Sequence, residues 1–121
     1  MLNQKYRLKK KYQFNYVYRV GKACHGKYHL LVYTPSKNTN IKIGISVSKK
    51  VGNAVKRNRA RRLLREAITP HLPLLDSNYN IIIVAKESII GKKLSDVQVD
   101  LDKTIEKIGI KKKWESFFFL L

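Results

Sequence analysis

The stretch KKVGNAVKRNRARRLLRE, residues 49–66, carries most of the information about the fold and the partner of this chain. Its eight cations and one acid are interleaved with apolar residues at helical spacing. The predicted helix begins after Asn53, whose side chain can cap it, and ends near Thr69, just before Pro70. Because the segment is predicted to fold, its cations should be fixed on a surface that faces an anionic partner.

A helical projection divides this segment into two stripes. The apolar stripe is expected to face a sheet and consists of Ala60, Leu63, Leu64, Ala67 and Ile68. The polar stripe consists of Asn58, Arg61, Arg62 and Arg65, flanked by Arg59. Lys56 and Arg57 lie in the first turn, where cations oppose the helix dipole. We interpret that turn as a place where phosphate groups gather.

Charge is distributed very unevenly along the 121 residues. The formal net charge is +18 and the isoelectric point is near 10.2. All 8 acids lie at or after position 66, whereas residues 1–65 hold eighteen of the 26 Lys and Arg. Because that half has no acid to neutralise it, its self-repulsion must be tolerated or offset by a polyanion. Nucleic acid is the leading candidate and an anionic membrane is the second.

Membrane insertion and secretion are not expected. No apolar run approaches the ~20 residues of a spanning helix, and the N-terminus lacks the apolar stretch of a signal peptide. Residues 117–121, FFFLL, are interpreted as a segment that packs on the domain or ends loosely. Cys24 is the only cysteine, so no disulfide partner is expected, and it has no metal-site spacing with His25, His29 or His71. A cytoplasmic location is predicted.

The remaining pattern predicts a small α+β domain. Helices are predicted at residues 9–20 and from 94 to Gly109, the latter with Ser95 and Gln98 at capping-box spacing. Strands are predicted at 28–34 and 41–48, joined as an antiparallel hairpin, and a central strand at 79–85. One domain is expected over residues 1–121, with 110–121 as a loosely held C-terminal tail.

Aromatic residues accompany the cations. Phe14 and Tyr18 share one face of the first predicted helix with Val17, and Tyr33 alternates with Leu31 on its strand. Aromatic rings beside cations are typical of surfaces that hold single-stranded RNA or DNA. The alternative, which periodicity leaves open, is that Phe14 and Tyr18 belong to the core.

Residues 46–66, SVSKKVGNAVKRNRARRLLRE, closely resemble the signature of the protein subunit of bacterial ribonuclease P. The match is ungapped and has Arg57, Asn58 and Arg59 at its centre. The resemblance extends from about residue 7 to residue 85. It takes in residues similar to that family's first helix (Arg7, Leu8, Lys9, Lys10, Phe14, Val17, Tyr18 and Gly21) and last strand (79–85).

The chain departs from the family pattern in two places. Tyr12 and Gln13 stand where an acidic residue is common, which removes one more negative charge. The predicted last helix matches in kind only, and residues 111–121 are not matched to the family pattern.

The resemblance implies a two-layer α/β sandwich in which three helices accompany a four-stranded sheet, like domain 2 of ribosomal protein S5. It also implies a left-handed βαβ crossover through the basic helix. That handedness rests on the family alone, because general rules favour a right-handed crossover. The fourth strand is expected either from a division of residues 24–34 or from residues after Ile89.

The resemblance implies that the chain is the RNA-binding protein subunit of an endoribonuclease, a ribonucleoprotein hydrolase. In that family the catalytic RNA cleaves precursor tRNA with Mg²⁺ and releases the 5′ leader. Carried over by position, the residues nearer the catalytic RNA are Lys49, Lys50, Lys56, Arg57, Arg59 and Arg62. Those lining a cleft for the leader are Phe14, Tyr18, Tyr33, Asn58, Arg61 and Arg65.

The residues themselves argue against chemistry by the protein. Residues 1–65 contain no carboxylate and the basic segment contains no His, so no catalytic or metal-ligating residue is expected. Mg²⁺ should be held mainly by the partner RNA, and a standalone metal nuclease is disfavoured. The alternative function is a ribosomal or nucleoid-type nucleic-acid-binding protein, which would share the charge but need no leader cleft.

Overall fold

A four-stranded mixed sheet organises the chain in a computed structural model, which describes residues 3–111. The helices are α1 (Lys11–Val20), α2 (Ala54–Ile68) and α3 (Leu94–Ile108). The strands are β1 (Lys22–His25), β2 (His29–Pro35), β3 (Lys42–Ser46) and β4 (Tyr79–Ala85). Short 3-10 turns lie at Gln4–Tyr6, Lys49–Val51, Thr69–Leu74 and Glu87–Ile89. The predicted α+β class is confirmed.

Strand β4 lies between β2 and β3, in the order β1-β2-β4-β3. It pairs antiparallel with β2 and parallel with β3, so the predicted hairpin between β2 and β3 is wrong. The apolar run of β4 explains the insertion, because Ile81, Ile82 and Ile83 are all fully buried and need cover on both faces. Parallel pairing requires a long connection from β3 to β4, and α2 is its helix.

The fourth strand is β1, an edge strand that pairs antiparallel with β2. The fourth strand was expected from a division of residues 24–34 or from residues after Ile89. The first expectation is closer to the structure, although β1 begins at Lys22. The four residues of β1, KACH, are mostly exposed and lack apolar alternation. That pattern gives no strand signal, which is why the sequence alone did not separate β1 from β2.

Helices cover both faces of the sheet. Helix α1 packs on one face, where Val17 meets Val32 and Ile82. Helices α2 and α3 pack on the other face, around Leu31 and Ile83. Because neighbouring residues of a strand point to opposite faces, β2 and β4 supply side chains to both clusters.

The start of α2 is built as predicted. The Asn53 side-chain oxygen accepts a hydrogen bond from the backbone N–H of Lys56 at 3.0 Å. Gly52 precedes it with φ of 145°, a conformation that L side chains rarely adopt, so this entry to the helix favours glycine. The helix ends at Ile68, with Thr69 as its C-cap.

The predicted cap of α3 at Ser95 and Gln98 is wrong. The helix begins at Leu94, and the Asp96 carboxylate accepts a hydrogen bond from the backbone N–H of Lys93 at 3.2 Å. An acid in the first turn also stabilises the helix, because its negative charge interacts favourably with the helix dipole.

The chain after α3 turns back onto the domain at Gly109, which has φ of 67°. Ile110 is buried and its carbonyl accepts from the Asp76 N–H at 2.9 Å, while Lys111 forms a bridge with Leu75. These two residues of the expected tail therefore pack on the domain, and the segment 117–121 lies outside the described residues. Within residues 3–111, no helix has the length and apolar character needed to cross a membrane.

Candidate nucleic-acid interface

Helix α2 separates an apolar side from a cationic side, as the projection predicted. Ala60, Leu64, Ala67 and Ile68 are buried and Leu63 is half-buried. On the other side, Asn58, Arg59 and Arg62 are exposed and Arg61 and Arg65 are half-buried. The packing of the apolar stripe fixes the rotation of the helix, and this rotation aims the guanidinium groups outward.

Four residues of the polar stripe line one concave surface. They are Asn58, Arg61, Arg62 and Arg65, and Glu66 lines the same surface. The Arg61 Nη1 donates a hydrogen bond to the Asn58 side-chain oxygen at 2.9 Å. Asn58 therefore orients a guanidinium group, whose planar fork suits a phosphate.

A groove crosses the edge of β3 and joins the two helices; we call it the β3-edge groove. The backbone N–H of Leu8 donates to the carbonyl of Ile43 at 2.9 Å, which holds the N-terminal segment beside β3. The groove is lined by Arg7, Leu8, Lys9, Phe14, Ile43, Gly44, Ile45 and Arg65. Cations of the N-terminal segment and of α2 thus line the same groove as an aromatic ring.

The ring of Phe14 lies directly on the backbone of β3 at Gly44. A Cβ atom at Gly44 would lie 2.5 Å from Phe14 Cζ, so glycine is what admits the ring here. Phe14 is half-buried against Leu8 and Val17, whereas Tyr18 is 45% exposed. Phe14 therefore belongs both to the small core and to the groove, while Tyr18 is not a core residue.

Tyr33 lies apart from these residues, on the opposite face of the sheet from Phe14. It is half-buried on the side of α2 and α3, with its ring centroid 6.2 Å from that of Tyr79. The neighbouring residue Val32 is the one that faces α1. The structure therefore brings Phe14 and Arg65 into one groove but does not bring Tyr33 to it.

The six cations assigned to the catalytic RNA do not form one separate group. Lys49 and Lys50 are exposed in the turn before α2, and Lys56 and Arg59 line a small apolar pocket beside Leu63. Arg57 is half-buried, and its Nε is a buried donor without a hydrogen-bond partner in the described part of the chain. Arg62 lies on the concave surface with Asn58 and Arg61, among the residues assigned to the leader.

No RNA-binding role was predicted from the sequence for two residues of the groove, Arg7 and Lys9. Both belong to the segment RLKK that resembles the family's first helix, and their alternation in an extended segment is a weak signal. The decisive feature is the parallel bridge between Arg7 and Ile43, which joins positions far apart in the chain. Such a long-range pairing leaves no local pattern in the sequence.

Positive charge dominates the electrostatics of this face. Within residues 3–111, no three His, Cys, Asp or Glu side chains are grouped as metal ligands would be. In the same part of the chain, no Lys or Arg of α2 forms an ion pair. The surface can therefore attract and position phosphates, but it offers no set of carboxylates for a metal ion.

A buried ionisable pair lies away from this face and joins β2 to α3. The Asp100 carboxylate accepts hydrogen bonds from the backbone N–H groups of Lys27 and Tyr28 and from His29 Nδ1, at 2.8, 2.9 and 2.9 Å. Burial lowers the pKa of His29, although Asp100 opposes the shift. Burial alone would raise the pKa of Asp100, but its hydrogen bonds and His29 outweigh that effect and lower it.

The chain is similar to known proteins of one family. A family model described as Ribonuclease P matches residues 2–109. The Ribonuclease P protein component of a Nitratiruptor species is 37% identical over 107 residues, spanning 88% of this chain and 94% of that protein. The Ribonuclease P protein component of Fusobacterium nucleatum is 38% identical over 107 residues, spanning 85% and 96%.

Solved structures show the same fold. The RNase P protein of Staphylococcus aureus superposes with a TM-score of 0.79 at 28% identity, over 88% of this chain and 98% of that one. The RNase P protein of Thermotoga maritima, at 19% identity and a TM-score of 0.75, supports the fold alone; it covers 84% of this chain and 96% of that one. The match of the family model over nearly the whole chain, together with these relatives, shows that the chain belongs to the ribonuclease P protein family.

Proposed function

We propose that this chain holds the 5′ leader of precursor tRNA in the β3-edge groove while other cations of α2 contact the catalytic RNA of ribonuclease P. The RNA-binding role in tRNA 5′-end maturation follows from the family. The family membership also decides against the alternative of a ribosomal or nucleoid-type protein. The proposal places the chain in the cytoplasm with its partner RNA.

The observation that carries the proposal is the meeting of Phe14 and Arg65 in one groove. Arg65 comes from α2, and Arg7 and Lys9 come from the N-terminal segment, so cations from two parts of the chain line the groove together with the ring. A single strand needs a positively charged groove for its phosphates and an aromatic ring for its bases, and it requires no base-specific contact.

In this proposal, hydrolysis belongs to the partner RNA and its Mg²⁺. The protein does not fit the role of metal site, because Glu66 is the acid that lines the concave surface of α2 and no metal-type cluster of side chains occurs in the described residues. Oxygen ligands for Mg²⁺ would come from RNA phosphates. The protein itself contributes charge, which draws the two RNAs together, and a fixed position for the leader.

Replacement of Arg65 tests the leader groove. In the holoenzyme reconstituted with its cognate RNA, Arg65→Ala should weaken binding of precursor tRNA and leave mature tRNA nearly unchanged, because mature tRNA has no leader. The lost phosphate contact should also lower the salt dependence of precursor affinity by roughly one unit. Affinities for both tRNAs over a range of salt concentrations measure both effects.

The matched control is Lys103→Ala, which removes an exposed cation from α3. It should affect both tRNAs equally and weakly. An equal loss for precursor and mature tRNA in Arg65→Ala would contradict the placement of the leader. Cleavage of precursor tRNA by the protein freed of RNA would contradict the placement of hydrolysis in the RNA.

A further inference from the structure

The side of α1 that faces away from the sheet carries two exposed tyrosines that the proposed function does not use. Tyr12 and Tyr16 lie one helical turn apart and are 66% and 47% exposed. The Lys10 ammonium lies 5.9 Å from the centre of the Tyr12 ring, and the Arg19 guanidinium lies 5.8 Å from that of Tyr16. We call Tyr12, Tyr16 and Arg19 the outer tyrosine face.

The outer tyrosine face points away from the β3-edge groove. At roughly 100° per residue, its three members fall within an arc of about 60° that lies roughly opposite Phe14, and each is about 100° or more from the buried Val17. Phe14 projects from another flank, onto β3 at Gly44. The exposed Tyr18 lies about 40° from Phe14 on the same projection, so one further ring lies between the groove and the outer side of α1.

Charge selects the kind of partner that can cover this face. Residues 1–65 contain no acid, and Lys10 and Arg19 lie over the two rings. A protein partner with an ordinary mixture of charges would meet uncompensated cations here. Unpaired nucleotides supply both complements, because their bases stack on tyrosine rings and their phosphates contact Lys and Arg.

We infer that the outer tyrosine face binds leader nucleotides that lie farther from the cleavage site than those in the β3-edge groove. This inference rests on the proposed function, which places the leader in that groove. A strand that leaves the groove beside Phe14 meets Tyr18 next, and then Tyr12 and Tyr16. The path follows the cylinder of α1, whose width with side chains is about 10–12 Å, so a few nucleotides are enough to reach the outer side.

The test measures how affinity depends on leader length in the reconstituted holoenzyme. Precursor tRNAs with leaders from very short to long are bound to the wild-type protein and to the double variant Tyr12→Ala, Tyr16→Ala. The variant should match the wild type for short leaders and bind long leaders about tenfold more weakly or worse, because two stacking rings are lost. The variant Tyr12→Phe, Tyr16→Phe keeps both rings and should restore binding.

Controls separate this result from general damage. Val99→Ala shortens another exposed apolar side chain, on α3, and should bind all leaders like the wild type. Both tyrosine positions are exposed helix positions where alanine is a better helix former, so the melting midpoint should not fall.

Two outcomes would overturn the inference. An equal loss for all leaders and for mature tRNA would mean that the outer tyrosine face contacts the catalytic RNA instead. No loss for any leader would mean that the face binds neither RNA. If the wild type binds precursor tRNA with a long leader no better than mature tRNA, the proposed function fails. If the wild type does prefer the precursor but the tyrosine variant binds every leader as the wild type does, the inference alone fails.

Discussion

At the scale of single residues, His29 shows how burial opposes the protonation of a side chain. Its side chain is fully buried, and Nδ1 lies 2.9 Å from the Asp100 carboxylate. Its Nε2 is also buried and has no hydrogen-bond partner in the described residues. Protonation of Nε2 would create an unpaired buried donor, and the nearby Lys86 adds repulsion, so the fold favours neutral imidazole.

The stability of the protein should therefore fall as the pH is lowered. The pKa of His29 in the fold is below its ordinary value of 6.5, so the unfolded chain binds more protons just below that pH. The free energy of unfolding should be level above about pH 7 and fall as the pH drops through 6.5. It should fall again below 3.8, because the pKa of Asp100 is also lowered. Urea unfolding between pH 3 and pH 8 measures this curve.

The variant His29→Asn provides the control, because its amide can still donate to Asp100 but does not titrate. It should cost roughly 1–3 kcal/mol for the lost packing and flatten the upper part of the pH curve. A smaller decline should persist from His71, whose pKa burial also lowers. An unchanged decline between pH 7 and pH 5 would show that His29 is not its cause.

At the scale of elements, α2 is capped for stability but charged for binding. Asn53 satisfies one N–H group at its start, while Lys56 and Arg57 oppose the dipole in the same turn. The helix is kept in place by its apolar stripe rather than by its charges. The cations in its first turn therefore lower the stability of the helix.

Reversing one of these charges should separate the effect of the cations on stability from their effect on RNA binding. Lys56→Glu is expected to raise the free energy of unfolding of the free protein by about 0.3–1 kcal/mol, because an acid favours the helix N-terminus. The same variant should bind the cognate RNA more weakly. Urea unfolding and RNA binding on one preparation measure both effects.

The control Lys56→Gln removes the charge without reversing it and should give intermediate values for both quantities. A Lys56→Glu variant that is less stable than the wild type would show that Lys56 supports the helix through another contact.

Elements with strong local patterns were predictable from the sequence. The pairing of strands was not, because it depends on residues that are distant in the chain. Helix α2 has both a clear period and a cap, and β4 has a continuous apolar run, so both were predicted to within a residue or two. The β2–β3 pairing was wrong because adjacency in sequence favours a hairpin, whereas the burial of β4 on both faces places it between them. Alternation shows that Tyr33 lies on one face, but not which helix covers that face.

At the scale of the whole molecule, the β3-edge groove is assembled from four places in the chain. The N-terminal segment, α1, β3 and α2 each contribute residues to it. Phe14 of α1 and Arg65 of α2 are far apart in the sequence but meet in this groove. Residue types predicted that a nucleic acid binds, whereas the shape of the groove depends on long-range pairing. The net charge of +18 remains as a cost of folding that an anionic partner offsets.

Anions should therefore stabilise the free protein. Low millimolar sulfate is expected to raise the melting midpoint above that in chloride at the same ionic strength, because an ion that binds only the folded state stabilises it. Arg61→Ala combined with Arg65→Ala should reduce this shift, since it removes two cations from one surface. Equal midpoints in sulfate and chloride would contradict the expectation.

The central position of β4 also sets the order of events while the chain is being synthesised. His29 pairs with Ala85, so β2 waits for more than fifty further residues before its partner leaves the ribosome. At about 5–20 residues per second, that delay lasts several seconds. During that time the acid-free half of the chain lacks the central strand of its sheet and emerges beside ribosomal RNA, a polyanion. Non-specific contacts of its cations with that RNA would compete with folding, and the pairing of β2 with β4 would favour the folded chain.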